Sequence, residues 1–240
     1  MNVIAIIQAR MGSNRLPGKV LRKVLGRELL SYQVERIRRC NQLHQVVIAT
    51  TTKAIDHPIV EYCVNNQILY YRGDEEDVLS RYYEAAVKYQ ADVIVRVTGD
   101  CPLLDPEIID HMIAMYEKNP NHYVSNVIHR TFPRGFDIEI IPFQLLKEIN
   151  EQATSAYDRE HVTTFLRNQS TTFPTIDVTN ERDLSNYRLT VDTFEDFKLI
   201  QKIIEELYPN NPSFSLKDVV ELLASQPKLL QLNAHIEQKR

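Results

Sequence analysis

Only three of the 240 residues are cysteine, Cys40, Cys63 and Cys101, and they are scattered along the chain. An odd, dispersed set excludes a disulfide framework or a cysteine zinc site and fits a reducing cytoplasm. Excess positive charge is lacking as well. Lys and Arg number 28 against 32 Asp and Glu, a net charge of -4. No global basic field is available to attract nucleic acid, and a polyanionic ligand must be held by local cations. No apolar run is long enough to span a bilayer, and the short one at the N-terminus lacks the basic flank of a signal peptide. Internal repeats and low-complexity segments are missing. His44, His57, His111, His122 and His129 show no metal-ligand spacing. What remains is an ordinary globular composition, long enough for one large α/β domain or two small ones.

The most informative stretch is Val3 to Leu21. Val3, Ile4, Ala5, Ile6 and Ile7 form a β-branched apolar run, the pattern of a strand buried on both faces of a parallel sheet. The chain then turns polar through Gln8, Arg10, Gly12, Ser13, Asn14, Arg15, Gly18 and Lys19. Ligands of open α/β sheets bind at the carboxyl ends of the strands. Glycines there let backbone approach a phosphate, and Arg and Lys supply the opposing charge. A solvated surface loop would carry the same residues. Two familiar glycine loops are excluded. Five residues separate Gly12 from Gly18 and Val20 follows Lys19, which breaks the Walker A pattern. Pro17 interrupts any helix that starts at Gly12, which breaks the dinucleotide fingerprint.

Further strand–helix units follow. Helices are expected over Leu29 to Cys40, from Pro58 to Val64, from Asp77 to Val87 and from Pro106 to Lys118. Strands are expected at Gln45 to Ala49, Ile68 to Tyr71 and Val93 to Val97. Four such units in succession demand a parallel sheet with right-handed crossovers. After Pro120 the regularity fails. Tyr123 to Ile128, Phe136 to Ile141 and Thr171 to Val178 read as strands, with helices near Phe143 to Gln152 and Asp158 to Asn168. We read an α+β insertion over about 123–186. Tyr187 to Val191 reads as a returning core strand, and Glu195 to Leu207 and Ser215 to Ala224 as closing helices, with Ser213 or Ser215 as cap. Lys228 to Arg240 reads as a loosely docked or frayed tail.

Asp100 follows the fourth strand and Asp192 the returning one, so both fall on the rim of the first loop. Two carboxylates there suit Mg²⁺ against a triphosphate, although Asp100 can equally cap its turn. Asp105, before Pro106, reads as a helix cap. Glu195 and Asp196 sit in a helix first turn, where the dipole alone explains acid. Loss of the charge at Asp196 is accordingly expected to cost at most about 1 kcal/mol. Asp137 and Glu139 lie two apart and so share one strand face, near Arg134. They suit hydrogen bonding to sugar hydroxyls, or a solvated edge. Ile138, Ile140 and Ile141 on that expected edge strand suggest a homodimer contact.

Gln8-Ala-Arg-Met-Gly-Ser-Asn-Arg-Leu-Pro-Gly-Lys19 resembles the nucleotide loop of the cytidylyltransferases that activate sugars. These include the CMP-acylneuraminate and CMP-ketodeoxyoctonate synthetases and, above all, the cytidylyltransferase-like proteins of spore coat polysaccharide biosynthesis. Gly99-Asp-Cys-Pro-Leu103, Arg134-Gly-Phe-Asp-Ile-Glu139, Asp158-Arg-Glu-His161 and Val191-Asp-Thr-Phe-Glu-Asp196 extend the likeness over nearly the whole chain. The resemblance implies one three-layer α/β nucleotidyltransferase domain over 1–240, with the insertion forming a dimer arm. It implies transfer of CMP from CTP to a sugar-type acceptor, with Mg²⁺ on Asp100 and Asp192. Gln8, Ala9, Arg10, Gly12, Ser13, Arg15, Lys19 and Arg72 would hold the nucleotide, with N–H groups at Gly12 and Ser13 on the phosphates. Arg134, Asp137, Glu139, Arg159, Glu160 and His161 would line the acceptor side. Two rivals stand beside this reading. A metal-dependent glycosyltransferase would show Asp-x-Asp, which Asp100-Cys-Pro lacks. A non-catalytic component of a polysaccharide assembly complex would bind CTP without turnover.

Overall fold

The computed structural model describes residues 1–169 and 172–237. In chain order its strands are β1 (Val3–Gln8), β2 (Lys23–Val24), β3 (Arg27–Glu28), β4 (Gln45–Thr51), β5 (Leu69–Gly73), β6 (Val93–Thr98), β7 (Tyr123–Ser125), β8 (Glu139–Pro142) and β9 (Thr175–Asp177). The helices are α1 (Leu29–Ile37), α2 (His57–Asn65), α3 (Val78–Lys88), α4 (Pro106–Lys118), α5 (Phe143–Gln152), α6 (Ala156–His161), α7 (Thr164–Asn168), α8 (Phe194–Leu207) and α9 (Leu216–Ser225). Strands β2 and β3 form a small hairpin, and the other seven make one sheet in the order β5-β4-β1-β6-β8-β7-β9. None of the helices among the described residues is long and apolar enough to cross a membrane.

The β5-β4-β1-β6 half is parallel throughout, as four strand–helix units require. Its order reverses at β1, which lies between β4 and β6. That reversal opens a crevice at the carboxyl ends of β1 and β6, the ligand position of open α/β sheets. β1 is buried on both faces. Val3, Ala5 and Ile7 join one core with Ile59 of α2, Met112 of α4, Ile200 of α8 and Val219 of α9. Ile4 and Ile6 join the other with Leu79 and Tyr82 of α3 and Leu146 of α5. The three layers follow from that alternation.

Helix starts match their side chains. Asp77 accepts the Ser80 N–H and Asp105 the Glu107 N–H. Thr193 with Asp196 and Ser215 with Asp218 form capping boxes, so Ser215, not Ser213, is the cap. Asp105 does more than cap α4, because its second oxygen accepts the Leu216 N–H of α9 at 2.7 Å.

The second half departs from expectation in four places. First, β8 is no edge strand. It pairs antiparallel with β6 on one side and β7 on the other, and Ile138, Ile140 and Ile141 are fully buried. Those isoleucines fill the two cores, so the edge argument for a dimer falls. Second, Tyr187 to Val191 forms no ladder. Leu189 and Val191 are buried, but their N–H groups go to different segments, Arg134 O at 2.7 Å and Asp100 O at 2.8 Å. Third, the helix expected over 158–168 breaks into α6 and α7 at Val162, whose φ is 61°. There the Thr163 N–H turns back to His161 O at 2.6 Å, a γ-turn that no helix can continue through. Fourth, β7 stops at Ser125 because Asn126 pairs by its side chain with Phe136 O and the Ile138 N–H. Thr171, expected to open β9, lies outside the described residues. The tail is docked as far as Asn233, which is buried.

Candidate active site

A cleft of about 1020 Å³ lies over the carboxyl ends of β1 and β6. Its floor is the loop after β1, and its walls come from Thr98–Asp100, Asp137, Glu160, His161 and Asp192. Leu16 and Val20 anchor the loop by burying their side chains. The Met11 carbonyl accepts the Ser13 N–H at 2.9 Å and the Gly18 N–H at 3.0 Å, which closes the loop on itself. Gly18 makes that closure with a φ of 66°, a conformation suited to glycine. Gly99 lets the β6 end approach β1, since a β-carbon there would lie 3.1 Å from Gln8 O. Ser13 lines the cleft with its N–H on Met11 O, and its hydroxyl accepts the Leu16 N–H.

Asp56 sets the loop from outside. It is buried, accepts the Met11 N–H at 2.6 Å on Oδ1, and takes the Thr51 hydroxyl on Oδ2. Sequence reasoning missed it. A carboxylate just before His57-Pro58 signals only a helix start, and its reach to Met11 spans 45 residues.

Lys19 joins the two expected metal residues. Its Nζ lies 3.1 Å from Asp100 Oδ2 and 3.3 Å from Asp192 Oδ1. Arg15 pairs with the other oxygen of Asp192, and the Thr98 hydroxyl donates to Asp100 Oδ1 at 2.5 Å. Burial alone would raise the Asp100 pKa. The Lys19 charge and the Thr98 and Lys19 hydrogen bonds outweigh it and hold the carboxyl below its ordinary range. Two hard oxygen donors thus converge on one cationic position, here filled by the ammonium. No third His, Cys, Asp or Glu completes a cluster among the described residues. This donor set fits Mg²⁺, which takes one or two carboxylates and completes its shell with phosphate oxygens and water.

The remaining expected residues divide. Gln8, Ala9, Arg10, Gly12, Glu160 and His161 line the cleft. Arg10 pairs with Glu75 at 3.5 Å, and the His161 ring meets Tyr157 edge-on at 4.4 Å. Asp137 also faces the cleft, held by Arg130 through two bonds of 2.6 and 2.9 Å. Glu139 reaches the cleft wall but is 3% exposed, with its oxygens on Arg96 and the Tyr123 hydroxyl. Burial pushes its pKa up, yet the Arg96 charge and the Tyr123 donor leave it lowered overall.

Three cations stand away from the cleft lining. Arg72 donates to Thr51 O and Lys53 O and ties β5 to β4. Arg134 is part-buried beside Arg188, with its N–H on Tyr187 O. Arg159 pairs with both oxygens of Asp77 and bonds to Asn150, and so ties α6 to the start of α3. Arg81, Arg96, Arg130 and Arg167 line the cleft instead. Of these, Arg81 closes the acidic stretch Arg72-Gly-Asp-Glu-Glu-Asp-Val-Leu-Ser-Arg81 that runs on from β5, which also resembles the family, while Arg96, Arg130 and Arg167 carried no signal of their own in the sequence.

The family model for cytidylyltransferases matches residues 4–240. The spore coat polysaccharide biosynthesis protein SpsF of Bacillus subtilis is 34% identical over 94% of this chain and 95% of its own. A 3-deoxy-manno-octulosonate cytidylyltransferase of Chlamydia trachomatis is 35% identical over 55% of this chain and 52% of its own. Among solved structures, a cytidylyltransferase from Leptospira borgpetersenii superposes with a TM-score of 0.93 at 35% identity, covering all of both chains. With its sheet and first loop in this arrangement, the chain belongs to the cytidylyltransferase family of enzymes.

Proposed function

We propose that this protein transfers CMP from CTP to a hydroxyl of a sugar or sugar acid, in surface or spore coat polysaccharide biosynthesis. The acceptor oxygen forms a bond to the α-phosphorus, the bond to the β-phosphate oxygen breaks, pyrophosphate leaves and the hydroxyl proton is lost. The observation that carries this reading is the Lys19 ammonium set between Asp100 and Asp192 beneath the first loop. Arg10, Arg15 and Lys19 hold the triphosphate, and such chemistry is mostly positioning and charge stabilisation. Mg²⁺ held by Asp100 and Asp192 would neutralise phosphate charge and acidify the attacking hydroxyl. Asp137, fixed by Arg130, and the nearby Glu160 and His161 are polar partners for acceptor hydroxyls. We assign Arg72, Arg134 and Arg159 to the scaffold, and Glu139 to holding Arg96.

One continuous sheet supports a single catalytic unit over 1–240. The three free, buried cysteines suit a cytoplasmic setting. A two-fold homodimer now rests on the family likeness alone. The experiment is pyrophosphate release from CTP across a panel of sugars and sugar acids with Mg²⁺. Asp100→Asn and Asp192→Asn should each cut turnover by at least ~10²-fold, with far less than additive losses in the double variant. CTP binding without turnover on any acceptor would instead favour a non-catalytic nucleotide-binding component.

A further inference from the structure

A row of polar side chains crosses the sheet beneath the cleft, on the face of the second core. Strand alternation sets it there. Ile4, Ile6, Ile94 and Ile141 face that core, so Gln8, Arg96 and Glu139, each two residues away from one of them, share the same face. Tyr123 joins from β7. The Tyr123 hydroxyl donates to Glu139 Oε1, and Arg96 Nη1 donates to Glu139 Oε2. Arg96 Nη2 then donates to Gln8 Oε1 at 3.3 Å. The guanidinium lies over the Tyr82 ring at 5.6 Å, and the Tyr82 hydroxyl is itself fixed on Val97 O at 2.8 Å. A buried ion pair stabilises little more than apolar side chains of its size would. What this one does is orient Gln8.

A guanidinium only donates, so the Gln8 oxygen must face Arg96 and the amide nitrogen must face away from it. Gln8 lines the cleft, and its Nε2 meets no acceptor among the described residues. Two N–H donors are thus aimed into the cleft. Gln8 pairs across the sheet with Thr98, whose hydroxyl holds Asp100, and Arg10 lies two residues on. The amide therefore stands between the first loop and the wall of Asp137, Glu160 and His161. The ribose and α-phosphate of a nucleotide must lie there if an acceptor on that wall is to reach the phosphorus. Every oxygen of that unit accepts hydrogen bonds. We propose that Gln8 donates to the ribose or α-phosphate of the nucleotide, with Arg96, Glu139 and Tyr123 as the positioning residues that turn its amide. The inference rests on the nucleotidyltransferase reading above and adds an orienting device to it.

Calorimetry with CTP and CMP, without acceptor, tests it. Gln8→Met removes the donors at nearly constant volume and should weaken both nucleotides by the same factor, about tenfold. A loss for CTP alone would place Gln8 on the leaving phosphates and overturn the proposal, as would unchanged binding of both. Glu139→Gln releases Arg96 and should weaken CMP about fivefold in the wild-type background, yet add nothing once Gln8→Met is present. A merely structural Glu139 would cost the same in both backgrounds, which overturns the positioning role. Nuclear magnetic resonance of ¹⁵N-labelled wild-type protein needs no stable Glu139 variant. The Gln8 side-chain amide signals, identified by their absence from Gln8→Met, should shift when CMP is added, and signals that stay in place overturn the contact. Binding that follows these expectations without pyrophosphate release on any acceptor would instead sink the transfer reading and leave Gln8 as the nucleotide donor. A wild-type protein that binds neither nucleotide overturns both.

Discussion

Asp196 accepts the main-chain N–H of Asp192 at 3.1 Å. Its carboxylate is fully buried and also takes the Thr193 N–H, the Nε and Nη2 of Arg188 and the Asn233 amide. A helix-dipole acid at the surface has none of these partners. The premise of a surface acid, on which the expected cost of at most about 1 kcal/mol rested, does not hold. Removing one side of a buried, hydrogen-bonded pair costs about 3–5 kcal/mol. Asp196→Asn should lower stability by about 3 kcal/mol in urea denaturation. It should also weaken Mn²⁺ binding read by electron paramagnetic resonance, because Asp192 loses its fixed backbone. A variant with wild-type melting and metal affinity would reduce Asp196 to an ordinary cap.

Gly135 predicts a second large effect, on folding. Its φ is 100°, a region closed to other residues. A β-carbon there would overlap the carbonyl of Leu189, whose N–H donates to Arg134 O in the crossing that joins residues 134 and 188. Gly135→Ala should destabilise the protein by at least about 2 kcal/mol. It should do so more than Gly26→Ala, whose positive φ faces open space. Equal melting of the two variants would show that the crossing yields freely.

Glu139 gives a pH-dependent test. Its folded pKa is depressed, chiefly by Arg96 once burial is overcome. The stabilisation is present above the unfolded pKa, near 4.5, and is lost as pH falls through the lower folded value. Glu139→Gln should accordingly melt well below wild type at pH 7, and the gap should narrow in acid, below about pH 4. If Glu139 served only to bind acceptor, the two proteins would melt together at every pH while KM for the acceptor rose.

Much of the layout of the cleft is legible in the residues. The β-branched run at Val3, the polar loop behind it and an aspartate after each of two buried segments fix where charge meets the sheet. The physics there is local, since strand periodicity and turn chemistry act within a few residues. Long-range use of a side chain is not local. Nothing near Arg159 says that its fork is spent on Asp77, 82 residues away, nor near Arg72 that it ties down Thr51 and Lys53. β8 looked like an edge because alternation reports burial, not neighbours, and its place between β6 and β7 is a tertiary choice. Tyr187 to Val191 misled for the opposite reason. Its burial is real, but its hydrogen bonds are shared among separate segments.

The Asn233 amide bonds Arg188 O at 3.0 Å and Asp196 at 2.8 Å, while Lys19 bonds Asp192 across 173 residues. The cleft is thus stitched from segments far apart in sequence. During synthesis the loop after β1 precedes Asp100 and Asp192 and waits for these counter-charges. No nascent chain that stops short of Asn233 holds the complete network, and contacts this distant are slow to form. The finished cleft is then a late feature of the maturing fold, not one that the loop after β1 carries by itself.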